Sequence, residues 1–422
     1  MMKPPELLSP AGTLKNMRYA FAYGADAVYA GQPRYSLRVR QNDFNKLDNI
    51  AQGITEAHSQ NKKFYVACNL LPHNVKLKTF MDDMIPIIEM QPDALIMADP
   101  GLIMLVRERW PQQDIHLSVQ ANTMNYASVK FWQNLGLTRI ILSRELSLED
   151  IAEIRQQCPD MELEVFVHGS LCIAYSGRCL LSGYINHRDA NQGSCTNACR
   201  WNYKVHEGKE DESGIHLLEE QGRPGQYLPI FEDENGTYIM NSKDLRAIQH
   251  IKTLMEMGID SVKIEGRTKS YYYVARTAQI YRKAIDNITA DKEFDMKLFQ
   301  ELDSLANRGY TEGFYRRHVP EEPQNYKSNN SVHNQQQFVG EVVGYTGELL
   351  DIEVKNHFEL EDDLELISPQ GNQRFKLEHL EDQYNNKIEI APGSGHTVRI
   401  RPPIPIEVNY GLLAKDLKSS IE

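Results

Sequence analysis

Leu163-Glu-Val-Phe-Val-His-Gly169, with Ser170-Leu171-Cys172 directly after it, is a short apolar run that closes in polar and glycine-containing residues. Seven more runs of this texture lie in the first two-thirds of the chain: Glu6–Ser9, Ala27–Gly31, Phe64–Leu70, Ala94–Asp99, His116–Asn122, Arg139–Arg144 and Ser261–Gly266. Near-continuous apolar strands of this kind belong to a parallel sheet covered on both faces. Helical spacing fills the gaps, in Leu14–Ala22, Phe80–Met90, Ala127–Leu135, Leu148–Ile154, Leu245–Met257 and Ala275–Ile285. Ser147 ahead of Glu149 and Asp150, and Ser242 ahead of Asp244, mark helix starts. Successive strands begin about 20–35 residues apart, except the seventh and eighth, which almost 100 residues separate. Eight strand–helix units predict an α/β fold, a (β/α)8 TIM-like barrel with an insertion after strand 7. An open doubly wound sheet is the alternative. It wants a glycine-rich fingerprint after the first strand, where this chain has Ser9-Pro10-Ala11-Gly12.

The texture changes after about Asn307. Residues 316–337 are polar, carry Pro320, Pro323 and paired asparagines, and read as a linker. Short alternating stretches follow from Phe338, among them Val339–Val343, Leu349–Val354, Leu364–Ile367 and Thr397–Ile400, with turn signals such as Pro392-Gly-Ser-Gly395 between them. The expected division is a barrel over 1–315 with an inserted acidic segment at about 205–235, the linker, and a small all-β barrel domain over 338–422.

The composition, 41% hydrophobic and 25% charged over 422 residues, is that of a globular chain of two to three domains. No apolar run reaches the ~18–20 residues of a membrane span. The start, Met-Met-Lys-Pro-Pro-Glu, has no apolar signal core, so the expected location is the cytoplasm. A net charge of −12 argues against a nucleic-acid partner, yet the acidity is concentrated. Ser331 onward carries −8 and His206–Asn235 carries −7, which leaves about +3 on the rest. A basic face on the main body is therefore open.

Four of the six cysteines, Cys172, Cys179, Cys195 and Cys199, fall within 28 residues in the spacing C-x6-C-x15-C-x3-C. They follow strand 7, so a barrel places them at its C-terminal face, where active sites lie. Clustered thiols in a reducing compartment point to a metal or an iron–sulfur cluster. Zinc favours two tight knuckles, and only Cys195–Cys199 has that spacing. A 4Fe-4S cluster tolerates irregular spacing, with zinc as the alternative and unliganded thiols as the bland reading. Cys68 and Cys158 each stand alone and read as structural.

Glu164-Val-Phe-Val-His-Gly169-Ser-Leu-Cys172-x4-Gly177-Arg-Cys179-Leu-Leu-Ser182 resembles the signature of the collagenase-like family filed as peptidase U32. Glu6–Gly12, Gly24–Gly31, Ser36-Leu-Arg38 and Lys263-Ile-Glu-Gly-Arg267 resemble further blocks of that family, in order and over nearly the whole chain. The resemblance is to the branch associated with tRNA. It implies prephenate-dependent, oxygen-independent hydroxylation of wobble uridine to 5-hydroxyuridine. It also implies a 4Fe-4S cluster on Cys172, Cys179, Cys195 and Cys199, with the tRNA anticodon loop as partner. The family label carries the competing reading, a collagenase-like peptidase. A third reading is a non-catalytic iron–sulfur scaffold for an RNA-modification partner; a redox or iron–sulfur delivery partner is a separate expectation.

Polar residues at the run ends would converge on the barrel mouth: Tyr29, Arg38, Asn69, Asp99, Gln120, Asn122, Arg144, Glu145, His168, Lys263, Glu265 and Arg267. A planar guanidinium takes two carboxylate oxygens at once, so Arg38, Arg144 and Arg267, with Lys263, are the candidates for a small dicarboxylate. The plainer reading pairs these arginines with Glu145 or Glu265. His168 is the candidate acid/base, against a histidine merely bonded to a carbonyl. Glu265, also a catalytic candidate, sits between two cations that would keep it ionised and make it a poor acid. A peptidase would need a nucleophile, but the chain has no H-E-x-x-H or G-x-S-x-G, and Ser170 is only a sequence neighbour of His168. Candidate RNA contacts are Arg34, Tyr35, Arg38 and Arg40, then Lys269 with Tyr271–Tyr273, and Arg316-Arg317-His318. The tyrosine triplet has a structural alternative, packing its helix onto the barrel.

Overall fold

The computed structural model describes residues 3–37, 43–172, 174–176, 178–179, 181–182, 195–201, 203–207, 215–220, 227–231, 243–307, 309–316, 335–402 and 409–417. Arg38, Arg40, Ser242, Arg317, His318 and nearly all of the linker lie outside the described residues, as does the acidic segment between its strands.

Eight strands form the barrel: β1 (Glu6–Pro10), β2 (Ala27–Gly31), β3 (Lys63–Cys68), β4 (Ala94–Met97), β5 (Ile115–Leu117), β6 (Arg139–Ile141), β7 (Glu162–Ser170) and β12 (Ser261–Ile264). Neighbours from β1 to β7 pair in parallel. β12 pairs in parallel with both β1 and β7, which closes the ring. All eight apolar runs are barrel strands. At five of the outer helices the chain reverses through side chains that satisfy the first free amides. Thr13, Asp99, Asn125 and Ser270 each accept from a first-turn N–H, and Ser147 forms a reciprocal capping box with Asp150. Asp99 is thus a helix cap and not a mouth residue.

The insertion after β7 contains three antiparallel strands, β8 (Tyr203–Glu207), β9 (Ile215–Glu220) and β10 (Tyr227–Phe231). The predicted helix Leu245–Met257 is only partly helical. Asp244–Arg246 is instead a strand, β11, antiparallel to His168–Ser170, and the helix spans Ile251–Glu256. β7 runs past the rim of the barrel, and its protruding edge groups need partners, so pairing overrides the local helical preference.

The C-terminal domain is all-β, built on a seven-stranded antiparallel sheet around Val339, Leu350, Ile352, Phe358 and Leu366. Its first strand, Gln336–Thr346, is bulged twice. Among the described residues its outermost strands, Gly371–Lys376 and Leu380–Asp382, do not pair with each other.

This domain docks on the barrel through polar contacts that are partly or wholly buried. Glu341 accepts from Lys15 Nζ (2.5 Å), the Tyr19 hydroxyl (2.8 Å) and the Tyr271 hydroxyl (3.0 Å). Tyr272 stacks on Phe338 with ring centroids 4.9 Å apart, and Tyr273 donates to the Glu265 carbonyl. Of the tyrosine triplet, Tyr273 packs the helix onto the barrel, as in the structural reading; Tyr271 and Tyr272 meet the C-terminal domain.

Candidate functional site

The strand ends and the cysteine-bearing loop enclose one cavity at the C-terminal face of the barrel. Tyr29, Asn69, Gln120, Arg144, Phe166, Lys263, Glu265 and Arg267 line it, together with Cys172, Cys179, Cys195 and Cys199. Of the expected mouth residues, Asp99, Asn122, Glu145 and His168 are not in its lining.

A β-bulge explains His168. Along β7, Glu164 and Phe166 face the barrel interior, opposite Ser261 and Lys263 of β12. Strict alternation would aim His168 inward as well. The register instead shifts so that Lys263 pairs with Phe166 and Ile264 with His168, two residues of β7 against one of β12. His168 is turned outward and buried, with Tyr273, Tyr281 and Tyr310 ringed about it and its Nδ1 3.4 Å from the Tyr281 hydroxyl. Burial pushes its pKa down to about 3, so at neutral pH the ring is uncharged. It stands outside the cavity, in the place of a packed structural histidine.

The cations of the cavity divide into two kinds. Lys263 is almost wholly buried, with Nζ 2.7 Å from Glu164 Oε1 and 4.3 Å from the Tyr29 ring centre. Glu164 also receives Arg139 Nη1 at 3.2 Å, Arg139 reaches Glu6 at 2.6 Å and Glu162 at 2.8 Å, and Lys63 stands 3.4 Å from Glu6, so three carboxylates and three cations form one network running down from the cavity floor. Burial draws the Lys263 ammonium below its ordinary range, with Glu164 acting against that pull. Arg144 is different. Its guanidinium donates to the Ser170 carbonyl (2.8 Å) and Ser176 Oγ (3.4 Å), lies over the Phe166 ring and meets no carboxylate among the described residues. Arg267 Nη1 donates to Ser36 Oγ at 2.7 Å. Neither the pairing of Arg144 with Glu145 nor that of Lys263 with Glu265 forms: Glu145 takes the Ser143 hydroxyl, and the Glu265 carboxylate has no ion pair among the described residues.

All four clustered cysteines reach this cavity from both ends of the loop. Cys172 is exposed and the other three are half-buried, and Cys195 Sγ accepts the Asn197 N–H at 3.4 Å. Among the described residues no three thiol, imidazole or carboxylate groups are gathered around a single point as ligands of one ion. Cys68 is buried beside Met84, and Cys158 caps a helix end, as structural cysteines do.

Sequence reading passed over Glu164 and Tyr175 as site residues. The signal for Glu164 was an acid inside an apolar strand run, which must find a cation when buried. That for Tyr175 was an aromatic between two clustered cysteines.

A closed (β/α)8 barrel with thiols and arginines converging at its C-terminal mouth defines a barrel protein whose chemistry is built on strand ends and one long loop. The chain belongs to peptidase family U32: the family's model matches residues 12–325 and the model of its C-terminal domain matches 334–415. It is 61% identical to the tRNA hydroxylation protein P of Escherichia coli K12, over 98% of this chain and 97% of that one. The protein of the same name from Haemophilus influenzae is 58% identical over 98% and 96%. The Escherichia coli 23S rRNA 5-hydroxycytidine C2501 synthase is 30% identical over 96% of this chain and 59% of that one. Among the described residues no helix is long and apolar enough to cross a membrane.

Proposed function

We propose that this chain is a tRNA-modifying enzyme that hydroxylates wobble uridine to 5-hydroxyuridine, with prephenate as co-substrate. The observation that carries the reading is the meeting of four thiols with Arg144 and Arg267 in one cavity, in a chain 61% identical to a tRNA hydroxylation protein. Four thiolates are the donor set an iron–sulfur cluster takes, so Cys172, Cys179, Cys195 and Cys199 would hold it. A cluster bound there supplies electron transfer at the cavity. The chain's own residues bind and orient. Arg144 presents a guanidinium with no carboxylate partner among the described residues, suited to a carboxylate of the co-substrate, and Arg267 is held by Ser36 for the second carboxylate. Lys263, pinned by Glu164, keeps positive charge at the floor without spending it on the ligand. Phe166 and Tyr29 wall off water around these charges.

Among the described residues no histidine lines the cavity to activate a thiol or hydroxyl, so these residues offer the peptidase reading no nucleophile–base pair. The test is mass spectrometry of tRNA nucleosides from a deletion strain. The expected result is loss of 5-hydroxyuridine, restored by the wild-type gene and not by Cys172→Ala. Unchanged 5-hydroxyuridine in the deletion strain overturns the reading.

A further inference from the structure

The loop bearing the first two clustered cysteines also presents an aromatic ring. Tyr175 borders the cavity yet is 52% exposed. Other exposed large apolar side chains, such as Met104 and Phe131, stand on outer helices. The turn that carries Tyr175 is tethered to the barrel. The Arg178 N–H donates to the Tyr175 carbonyl at 3.1 Å, closing the turn. The next residue, Ser176, is buried, and its carbonyl accepts from Asn122 Nδ2 at 2.8 Å while its hydroxyl accepts from Arg144. Asn122 can aim its amide there because it adopts a left-handed backbone, φ +51°. The ring is therefore set at the rim on a fixed support, with the exposed Arg178 guanidinium three residues on.

We propose that Tyr175 is the stacking platform for the RNA base that enters the cavity, and that Arg178 takes an adjacent phosphate. The inference rests on the RNA-modification reading above and adds the element that would hold the base. Every nucleobase has a π-face, and an aromatic side chain beside a cation is the common means of holding a base splayed from its strand. Pairing of orphaned polar groups in the lining does not account for the ring, which donates to nothing in the cavity wall among the described residues.

The experiment measures binding of the full-length protein, purified anaerobically, to a synthetic anticodon stem–loop with uridine at the wobble position. A second stem–loop is abasic there. Tyr175→Ala should weaken binding of the uridine stem–loop about tenfold, the usual scale for losing one base–aromatic stack. Tyr175→Phe and Tyr175→Trp should keep it, because they retain the face. Against the abasic stem–loop, Tyr175→Ala and wild type should bind alike, since ring and base act as one pair. Equal affinity of Tyr175→Ala and wild type for the uridine stem–loop overturns the inference while leaving the enzyme reading intact. So does an equal loss against both stem–loops, or failure of Phe to rescue. Wild-type protein that binds neither stem–loop overturns both.

Discussion

Lys263 Nζ lies 2.7 Å from Glu164 Oε1, and both side chains are removed from water directly beneath the mouth cavity. Glu164→Gln leaves Lys263 without its nearest counter-charge in a place where water cannot replace it. The expected loss is about 3–5 kcal/mol of folding stability, read from the denaturant midpoint. The double variant Glu164→Gln/Lys263→Met should recover much of that, because removing both charges also removes the cost of burying one alone. Additive losses would show that the pair does not act as a unit.

His168 is held neutral by burial, with its pKa near 3 in the folded chain against about 6.5 unfolded. His116, also buried, is held well below the ordinary histidine range. In both cases the unfolded chain takes up a proton that the folded chain refuses. Stability is therefore full above pH ~6.5 and falls as the medium is acidified towards the folded values. Between pH 6.5 and 5.5 the two together should approach a loss of about 2 kcal/mol, and His168→Phe should remove about half of that slope in denaturant titrations. The same variant should still hydroxylate tRNA at neutral pH, since His168 is not in the cavity lining.

On the proposed cluster assignment, anaerobically purified protein should be brown and contain iron, and each of Cys172→Ala, Cys179→Ala, Cys195→Ala and Cys199→Ala should lose both, together with tRNA hydroxylation. Iron analysis and visible absorbance read the first, nucleoside mass spectrometry the second. Active, colourless, zinc-loaded protein would replace the cluster assignment with zinc.

Arg267→Ala should raise the KM for prephenate at least about tenfold, with only partial rescue by lysine, which keeps the charge but not the fork. Gly31→Ala probes the same contact without touching the arginine. A Cβ at Gly31 would stand 2.7 Å from Ser36 Oγ and 2.8 Å from Arg267 Nη1, so the guanidinium must move. It should reproduce part of the KM defect at unchanged colour.

Glu341 joins the C-terminal domain to Lys15, Tyr19 and Tyr271 of the barrel. Burial alone would raise its pKa, but the hydrogen bonds from these three residues hold it below the usual carboxylate range. Its stabilising effect is present above the unfolded pKa and is lost as pH falls through the lower folded one. Glu341→Ala should cost about 2–3 kcal/mol at neutral pH, and limited proteolysis should then cut between the domains sooner.

The eight barrel strands, the helix start at Ser147 and the all-β tail were legible because apolar periodicity and cap chemistry are local properties of the chain, whereas the helix start expected at Asp244 is a strand. That the four spaced cysteines would reach the barrel mouth was legible from their position after strand 7. The two arginines were named correctly as cavity residues, but their partners were not. Arg144 turns to the Ser170 carbonyl, and Lys263 chooses Glu164, 99 residues away, over nearby Glu265. Such choices are made by strands that the barrel brings side by side, which no sequence neighbour reports.

His168 shows the division most clearly. The sequence by itself determined that a histidine stands near the end of a buried strand, four residues before a clustered cysteine. Only the tertiary structure decided which way it points. One extra residue of β7 against β12 reverses the alternation after Phe166 and sends the ring out among three tyrosines instead of into the cavity. A strand's side-chain period is two, so a single-residue shift in pairing exchanges its faces, and that shift is set by the neighbouring strand.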